Sequence, residues 1–137
     1  MLLYTERLLS GCERLLFPLA FSASAEARSL LVIAARDARR LEREGMPCPW
    51  AYAHMIRGGL AALRGDSPRA AILLAEAVER FEAVKMRLCS ASVRRRLGEL
   101  IGGDRGQADV ARADHWMTDQ KIQNPACMAS MILARLN

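Results

Sequence analysis

The sequence predicts an all-α fold, a right-handed stack of antiparallel helix hairpins with about seven helices. Apolar residues recur with a helical period along most of the chain. The apolar residues are mainly Leu, Ala, Ile, Val and Met rather than aromatics, and a pattern returns after forty residues. Because 137 residues is the size of one domain, we expect a single helical-repeat domain spanning residues 1–137.

Residues 50–86 form the clearest hairpin. Two helices are predicted there, at 51–64 and 68–86, and residues 65–67 form the tight turn between them. The second helix carries an apolar stripe made of Ala70, Ala71, Leu74, Ala77, Val78 and Phe81. In the first helix, Gly58 is small enough to let another backbone come close. We therefore expect Gly58 to lie at a close contact between two helices.

A similar pattern returns forty residues further along the chain. Matching pairs are Val32 and Ile72, Leu41 and Phe81, Glu42 and Glu82, Gly58 and Gly98, and Leu60 and Leu100. A period between about twenty and fifty residues is typical of stacked helical arrays, in which neighbouring hairpins share one core. A chance coincidence in an Ala-, Leu- and Arg-rich chain is the alternative interpretation.

The rest of the chain divides into units of the same size. We expect hairpins at about residues 2–44, 50–86 and 90–121, followed by a C-terminal capping helix at 125–136. Apolar side chains crowd residues 1–21, and no capping side chain precedes the first helix. We expect these residues to expose an apolar patch through which the chain self-associates, unless a preceding repeat of a longer parent protein covers it.

The details of the third hairpin depend on turn signals. Ser90 or Ser92 is a candidate N-cap for a helix at 93–101, and the glycine-rich residues 102–106 are expected to form a loop. A phosphate-binding loop is not expected, because no Gly-Lys-Ser/Thr follows these glycines. The next helix is predicted at 107–121, and its inward residues are expected to be Ala108, Ala111, His115 and Trp116.

Composition and charge narrow the function classes. Charged residues make up 26% of the chain, which argues against disorder, and the net charge is +5 with nearly all cations arginine. Arginines cluster at Arg36, Arg39, Arg40 and Arg43 and at 94–96, so a basic helical module that binds nucleic acid is the alternative function. No recognition helix with base-reading Asn or Gln is evident, and this favours a protein partner.

Few residues could support catalysis or metal binding. Four cysteines are spaced close to the repeat period: Cys12, Cys48, Cys89 and Cys127. They form no C-x-x-C pair. The only imidazoles in the sequence, His54 and His115, are interpreted as helix-packing residues. We therefore predict no catalytic residue, no metal ligand and no cofactor, and we expect no enzyme activity.

The expected location is the cytoplasm. The cysteine pattern does not suggest the disulfides of an oxidising compartment. The N-terminal residues lack a basic segment, and the apolar run is interrupted by Glu6, Arg7, Glu13 and Arg14. Neither a signal peptide nor a membrane span is predicted, and a membrane is not an expected partner.

The hairpin around Gly58 resembles a tetratricopeptide repeat. In that family a small residue lies seven positions before a turn glycine, and two further small residues follow in the second helix. Here these positions are Gly58, Gly65, Ala70 and Ala77. The chain departs from the family at His54, Arg57 and Glu82, and its forty-residue period exceeds the usual thirty-four. It is similar to the longer variant found in bacterial signalling regulators.

A second resemblance covers the later part of the chain. Residues 94–104, Trp116-Met117, Gln120, Ile122 and Asn124-Pro125 look like the C-terminal repeat tail of large bacterial serine/threonine protein kinases and related ATPase regulators. Lys121 stands where that tail often has glycine. The chain has no glycine-rich kinase loop, no H-R-D and no D-F-G. The resemblance implies the sensor or scaffold end of such a protein, without its enzyme domain.

These observations favour a non-catalytic module that binds a protein or peptide partner, or the upstream domains of a longer parent chain. The expected partner-binding residues are Tyr52, Met55, Arg94 and Arg95. The expected structural repeat positions are Gly58, Gly65, Ala70, Ala77, Gly98 and Trp116. A clamp for C-terminal carboxylates is not expected, because Gly59 and Glu99 occupy the places of the clamp asparagine and Glu99 would repel an acidic tail.

Overall fold

The computed structural model describes residues 25–133 and 136; residues 1–24, 134, 135 and 137 lie outside the described part. Six helices follow one another: α1 Ala25–Arg43, α2 Pro47–Leu63, α3 Ser67–Ala83, α4 Arg87–Ile101, α5 Gly103–Asp119 and α6 Pro125–Ile132. No strand occurs within the described residues, so the all-α prediction is confirmed. The predicted first helix and the apolar patch at 1–21 fall outside the described residues and stay predictions.

Each helix packs against the next one in sequence, and α4 also contacts α6. Three residues join α1 to α2, α2 to α3 and α3 to α4, and a connection this short makes neighbouring helices antiparallel. The main core lies between α1, α2, α3 and α4. A smaller cluster joins α4, α5 and α6 through Ala91, Ala113, Met117 and Ala129.

The turns of this array recur at equal intervals. Helices α2, α3 and α4 begin at Pro47, Ser67 and Arg87, twenty residues apart. The residues that close the preceding helices, Gly45, Gly65 and Lys85, are also twenty apart, and their φ angles of 65°, 81° and 63° are all left-handed. The forty-residue pattern of the sequence therefore corresponds to two consecutive units of twenty residues, each made of one helix and the turn that follows it.

The backbone hydrogen bonds of these turns repeat as well. The N–H of Asp66 donates to the carbonyl of Ala61 over 2.9 Å, and the N–H of Met86 donates to that of Phe81 over the same distance. This is the Schellman arrangement, which favours glycine at its left-handed position. Lysine occupies that position at Lys85 and again at Lys121, whose φ is 65°.

Gly58 lies at a close contact between α2 and α3, as predicted. A Cβ atom at this position would lie 2.7 Å from the Cγ and Cδ2 atoms of Leu74. Leu74 is fully buried, as are Ala70 and Ala77, which present small side chains to the same interface. The small residues of the hairpin thus allow α2 and α3 to pack closely.

The predicted loop at 102–106 is wrong. Only Gly102, with φ of 67°, separates α4 from α5, and the residues from Gly103 onward are helical. Gly106 lies inside α5 and packs against Gly98 of α4. A Cβ atom added at Gly98 would be 2.5 Å from the carbonyl oxygen of Gly106. The glycine therefore permits a backbone contact rather than a flexible loop.

The predicted start of α4 at residue 93 is also wrong, because the helix begins at Arg87. Ser90 and Ser92 do not cap it. The hydroxyl of Ser92 donates to the Leu88 carbonyl over 2.8 Å, one turn back in the same helix, and that of Ser90 donates to Glu82 over 3.1 Å. Both serines lie within the helix, not at its start, and both are buried.

The inward face of α5 differs from the prediction. The buried residues are Gly106, Ala113 and Met117, whereas Ala108, Ala111 and His115 are exposed. Of the four residues predicted to face inward, only Trp116 is partly buried, and it packs on the small cluster between α4, α5 and α6. Gly106, Ala113 and Met117 are spaced seven and four residues apart and share one helical face, and this face was missed because Gly106 was assigned to a loop.

The C-terminal helix is shorter than the predicted 125–136. It ends at Ile132, and Leu133 is extended and buried. Arg96 of α4 holds this end: it is 2% exposed, and its Nε donates to the Leu133 carbonyl over 2.8 Å. Its Nη2 donates to Ser130 Oγ over 2.7 Å, and its Nη1 pairs with Glu99. Leu133 leaves the helix so that its side chain joins the core and its carbonyl meets the guanidinium.

Candidate functional site

A groove crosses the junction of α3, α4 and α5. It encloses about 430 Å³ and is called the α4 groove here. Its lining consists of Glu82, Lys85, Arg87, Ser90, Ala91, Arg94, Arg112, Ala113 and Trp116. Four cations and one carboxylate therefore surround it, which leaves a net positive charge of three. The apolar part is made of two alanines and one tryptophan.

Glu82 neutralises only one of these four cations. Its carboxylate accepts the Ser90 hydroxyl and forms an ion pair with Arg94. Among the described residues, no carboxylate pairs with Lys85, Arg87 or Arg112. These three side chains belong to exposed residues at the edge of the groove. The groove thus offers three cations to an anionic group from outside the chain.

The beginning of α4 adds to this positive character. Its N-cap residue, Met86, provides no side-chain hydrogen bond, and no acidic residue lies in the first turn. The first N–H groups of a helix have no partner within the helix, and the helix dipole places partial positive charge at this end. Arg87 and Ser90, from this first turn, line the groove.

A second groove of about 320 Å³ lies between α1, α2 and α3 and is called the α2 groove. It is lined by Ala35, Arg39, Arg57, Leu60, Ala61, Arg64, Asp66, Arg69 and Leu73. The charge balance is again four cations and one carboxylate. Its lining among the described residues contains no aromatic residue, and Asp66 caps the adjoining helix α3 by accepting the N–H of Arg69 over 3.2 Å.

The four predicted partner-binding residues do not form one surface. Met55 is fully buried in the core, so its assignment to a binding surface is wrong. The half-buried Tyr52 ring packs edge-on against Phe81, with centroids 4.9 Å apart, and its hydroxyl lies 3.6 Å from Cys89 Sγ. Of the four residues, only Arg94 lines a groove.

Arg95 and its neighbours form ion pairs within the chain. Arg95 pairs with Glu99 and, over 2.8 Å, with Asp114 of α5. Glu99 also accepts Arg96, so its charge is balanced by two guanidinium groups. The expectation that Glu99 repels an acidic tail assumed a free carboxylate, and this pairing removes its basis. The arginine run at 94–96 ties α4 to its neighbours.

The two histidines occupy different environments. His54 Nδ1 lies 2.8 Å from the Trp50 carbonyl, and its Nε2 lies 3.1 Å from Glu76 of α3. His115 is exposed and lies 3.4 Å from Asp119, one turn further along α5. The part of the chain that the structure describes contains no group of three His, Cys, Asp or Glu residues suited to a metal ion.

The thiols of Cys48 and Cys89 lie in the core region between α2, α3 and α4. Cys48 Sγ is 3.4 Å from Met86 Sδ. Burial raises the pKa of both thiols above the ordinary value, and for Cys89 the hydrogen bond with Tyr52 opposes the shift. Because the thiolate is the reactive form, both groups are poor nucleophiles at neutral pH.

Comparison with protein-family models, curated proteins and solved structures found no match to this chain. The resemblance to tetratricopeptide repeats therefore depends on the chain's own residues. Trp116 was expected as an inward-facing repeat position, yet it lines the α4 groove beside three cations that pair with no carboxylate in the described part of the chain. The sequence indicated this role only through an aromatic residue that lies near several arginines. Only the packing of three helices brings Trp116 and the cations of the groove together.

None of the helices in the described part combines the length and apolarity needed to cross a bilayer.

Proposed function

We propose that this chain is a non-catalytic protein–protein interaction module whose α4 groove receives a peptide segment of a partner. Its helices form a right-handed stack of the tetratricopeptide type, similar to the repeat tail of large bacterial serine/threonine kinases and ATPase regulators. The observation that carries the proposal is the groove at the junction of three successive helices, α3, α4 and α5, the first two of which follow turns spaced twenty residues apart.

Contacts that recur after forty residues support the repeat. Glu42 of α1 and Glu82 of α3 occupy equivalent positions, and each meets the helix that follows. The Trp50 indole donates to the Glu42 carbonyl over 2.9 Å, and Ser90, forty residues later, donates to the Glu82 carboxylate. Arg57 pairs with Glu42 over 2.6 Å, and Arg94, which lies thirty-seven rather than forty residues after Arg57, pairs with Glu82.

The chemistry of the groove fits peptide recognition. Its centre is apolar, with Ala91, Ala113 and the Trp116 ring, while charged side chains lie around it. An apolar centre with a polar rim is the usual anatomy of a protein-binding surface, and tryptophan and arginine are the residues that contribute most to such binding. A short extended or helical segment can bury one apolar side chain there.

Binding of nucleic acid is the second candidate function, because cations dominate both grooves and Arg39, Arg40 and Arg43 are exposed. The run at 94–96, however, is engaged in ion pairs and partly buried. A basic surface whose arginines already have carboxylate partners releases few counterions from a phosphate backbone. This pairing favours a protein partner over a nucleic acid.

The proposed place of action is the cytoplasm, and the proposed partner is another protein or the upstream domains of a longer parent chain. Sequencing upstream in the same reading frame tests the second possibility: a kinase or ATPase domain there would support it. An intact coding sequence that begins at Met1 would instead require a separate partner.

A displayed library of random peptides tests the interaction function. We expect enrichment of peptides that bind at one site, and hydrogen exchange should then slow in the first turns of α4 and in α5 around Trp116. Arg112→Glu, which changes an exposed groove residue without touching the core, should reduce this binding, and the matched control Arg39→Glu, outside the α4 groove, should not. No enrichment, or protection confined to α1 and α2, would contradict the proposal.

A further inference from the structure

We propose that the ligand of the α4 groove is an acidic peptide segment, with its carboxylates on Lys85, Arg87 and Arg112 and an apolar side chain against Trp116. The proposal rests on the interaction function above, because it names the ligand class of the same groove. It does not require the C-terminal carboxylate of a partner, since the three cations can pair with acidic side chains within a segment.

Charge complementarity is the first argument. The groove has four cations and one carboxylate, and Glu82 is already paired with Arg94. Lys85, Arg87 and Arg112 come from three places, the turn after α3, the start of α4 and the middle of α5. Helix packing therefore gathers around one cavity three like charges that no described carboxylate neutralises, at a cost in repulsion that an anionic partner would relieve.

The uncapped start of α4 is the second argument. In α3 and α6 the first turn is capped by Asp66 and by Asn124, whose side-chain oxygens accept a backbone N–H. In α4, as in α2 and α5, the N-cap residue provides no such cap, and no acidic residue lies in the first turn of α4. A carboxylate bound beside Arg87 would meet the positive end of the helix dipole together with these N–H groups.

The apolar centre is the third argument and distinguishes a peptide from a nucleic acid. Ala91 and Ala113 lie beside Trp116, and Glu82, the only carboxylate that the described residues give the groove, lines the same cavity. A phosphate backbone needs a continuous track of cations, whereas here the cations surround one pocket of about 430 Å³. A segment that alternates acidic and apolar side chains matches this arrangement.

The α2 groove provides the internal control. Among the residues that the structure describes, it has the same balance of four cations and one carboxylate but no aromatic residue, and its adjoining helix is capped. If net charge alone attracted the peptide, both grooves would bind it equally. Arg87 and Arg112 have counterparts there in Arg69, in the first turn of α3, and Arg39, the fifth residue from the end of α1.

Intrinsic fluorescence gives a direct reading of the groove. The substitution Trp50→Phe leaves Trp116 as the single tryptophan. The probes are peptides of about eight residues with alternating Glu and Leu, Gln and Leu, or Lys and Leu, blocked at both ends so that no terminal charge contributes. Only the Glu peptide is expected to change the Trp116 emission, and raising NaCl from about 50 to about 500 mM should weaken its binding.

Paired charge reversals then locate the site. Arg87→Glu and Arg112→Glu should each weaken binding of the Glu peptide by about five- to tenfold, and together they should abolish it. The controls Arg69→Glu and Arg39→Glu should change it less than about twofold. All four residues are exposed, so circular dichroism should show unchanged folding.

Three outcomes would overturn the proposal. Equal binding of the Glu and Gln peptides would remove the role of charge, while the interaction function would stand. Equal losses from the α4-groove and α2-groove reversals, with tighter binding of single-stranded oligothymidylate, would assign the surface to nucleic acid. Absence of binding by the Glu peptide, when the random library still yields ligands in the α4 groove, would reject the acidic class and leave the interaction function intact.

Discussion

The backbones of Gly98 in α4 and Gly106 in α5 are in direct contact. A Cβ atom at Gly98 would lie 2.5 Å from the Gly106 carbonyl oxygen, and one at Gly106 would come closer still to the carbonyl oxygen of Gly98. Each glycine thus leaves room for the other helix. No side chain can be added at either position unless α4 and α5 move apart, because the obstacle is backbone rather than a flexible side chain.

Gly98→Ala should therefore destabilise the chain by about 1–3 kcal/mol, although alanine is the better helix former by about 1 kcal/mol. Denaturant unfolding measures this difference. Ala108→Leu, which adds more volume on the exposed face of α5, should change stability by less than about 0.5 kcal/mol. Because one separation of the helices makes room for both changes, Gly98→Ala with Gly106→Ala should cost less than the sum of the single variants.

Gly58→Leu should also overpack a helix interface, with a cost of about 1–3 kcal/mol. The added side chain would meet Leu74, which is fully buried and cannot turn away into solvent. Leu74→Ala opens a cavity at the same place and should destabilise alone by about 2–5 kcal/mol. The double variant should be more stable than the two single effects predict. A melting curve like that of the wild type for Gly58→Leu would refute the close contact.

Lys85→Gly and Lys121→Gly should leave the free energy of unfolding unchanged or raise it by up to about 1 kcal/mol. Both lysines have left-handed φ angles, which cost an L-residue about 1–2 kcal/mol and cost glycine nothing. The larger entropy of glycine in the unfolded chain offsets part of this gain. In the exposed interior of α3, Glu79→Gly should instead destabilise by about 1 kcal/mol. Thermal melts of the three variants compare the positions.

Arg96→Met should loosen the C-terminal segment. The change leaves the Leu133 carbonyl and Ser130 without the donor that reaches them from α4, at a cost of about 2–4 kcal/mol. Hydrogen exchange of residues 125–133 should accelerate more than that of α2 and α3. Arg105→Met, at an exposed position of α5, is the control and should alter neither. Uniform acceleration across all helices would show that Arg96 supports the whole core instead.

The stability of the chain should fall as pH rises above the ordinary thiol pKa. Burial raises the pKa values of Cys48 and Cys89 in the folded chain. As pH rises, the unfolded chain therefore loses these protons first, and the folded chain then binds more protons than the unfolded chain does. Their contribution is complete below the unfolded pKa and disappears as pH rises through the folded values. The double variant Cys48→Ala with Cys89→Ala should show a shallower decline, and iodoacetamide at neutral pH should label the exposed Cys127 fastest.

Periodicity predicted the helices of the central hairpin well, because apolar stripes and the turn at Gly65 are strong local signals. It failed where a turn lacked its usual residue. Lys85 adopts the left-handed conformation that glycine normally signals, so the start of α4 at Arg87 was missed. It failed again at Gly106, where glycine serves a contact between helices and was interpreted as a loop.

The candidate site was less predictable than the fold. Arg94 and Arg95 are neighbours in sequence, but only the packing of the helices shows that both form ion pairs with carboxylates. It also shows that Arg94, and not Arg95, lines the α4 groove. Arg112 and Trp116 join that groove because the contact between Gly98 and Gly106 brings α5 close to α4. Met55 is buried, although it was assigned to the partner-binding surface. Its helix has apolar residues on most sides, so the sequence does not indicate which of these side chains faces solvent.

The even spacing of Gly45, Gly65 and Lys85 determines how such a chain can change in length. Since α3 and α4 each begin twenty residues after the preceding helix, an insertion of forty residues at a turn adds one whole hairpin and keeps later helices facing as before. An insertion of twenty adds a single helix and reverses the direction of all that follow. Insertion of two helices before α3 would therefore leave the α4 groove facing as it does now. Insertion of a single helix there would reverse α3, α4 and α5, and the cations of the groove would face the opposite way.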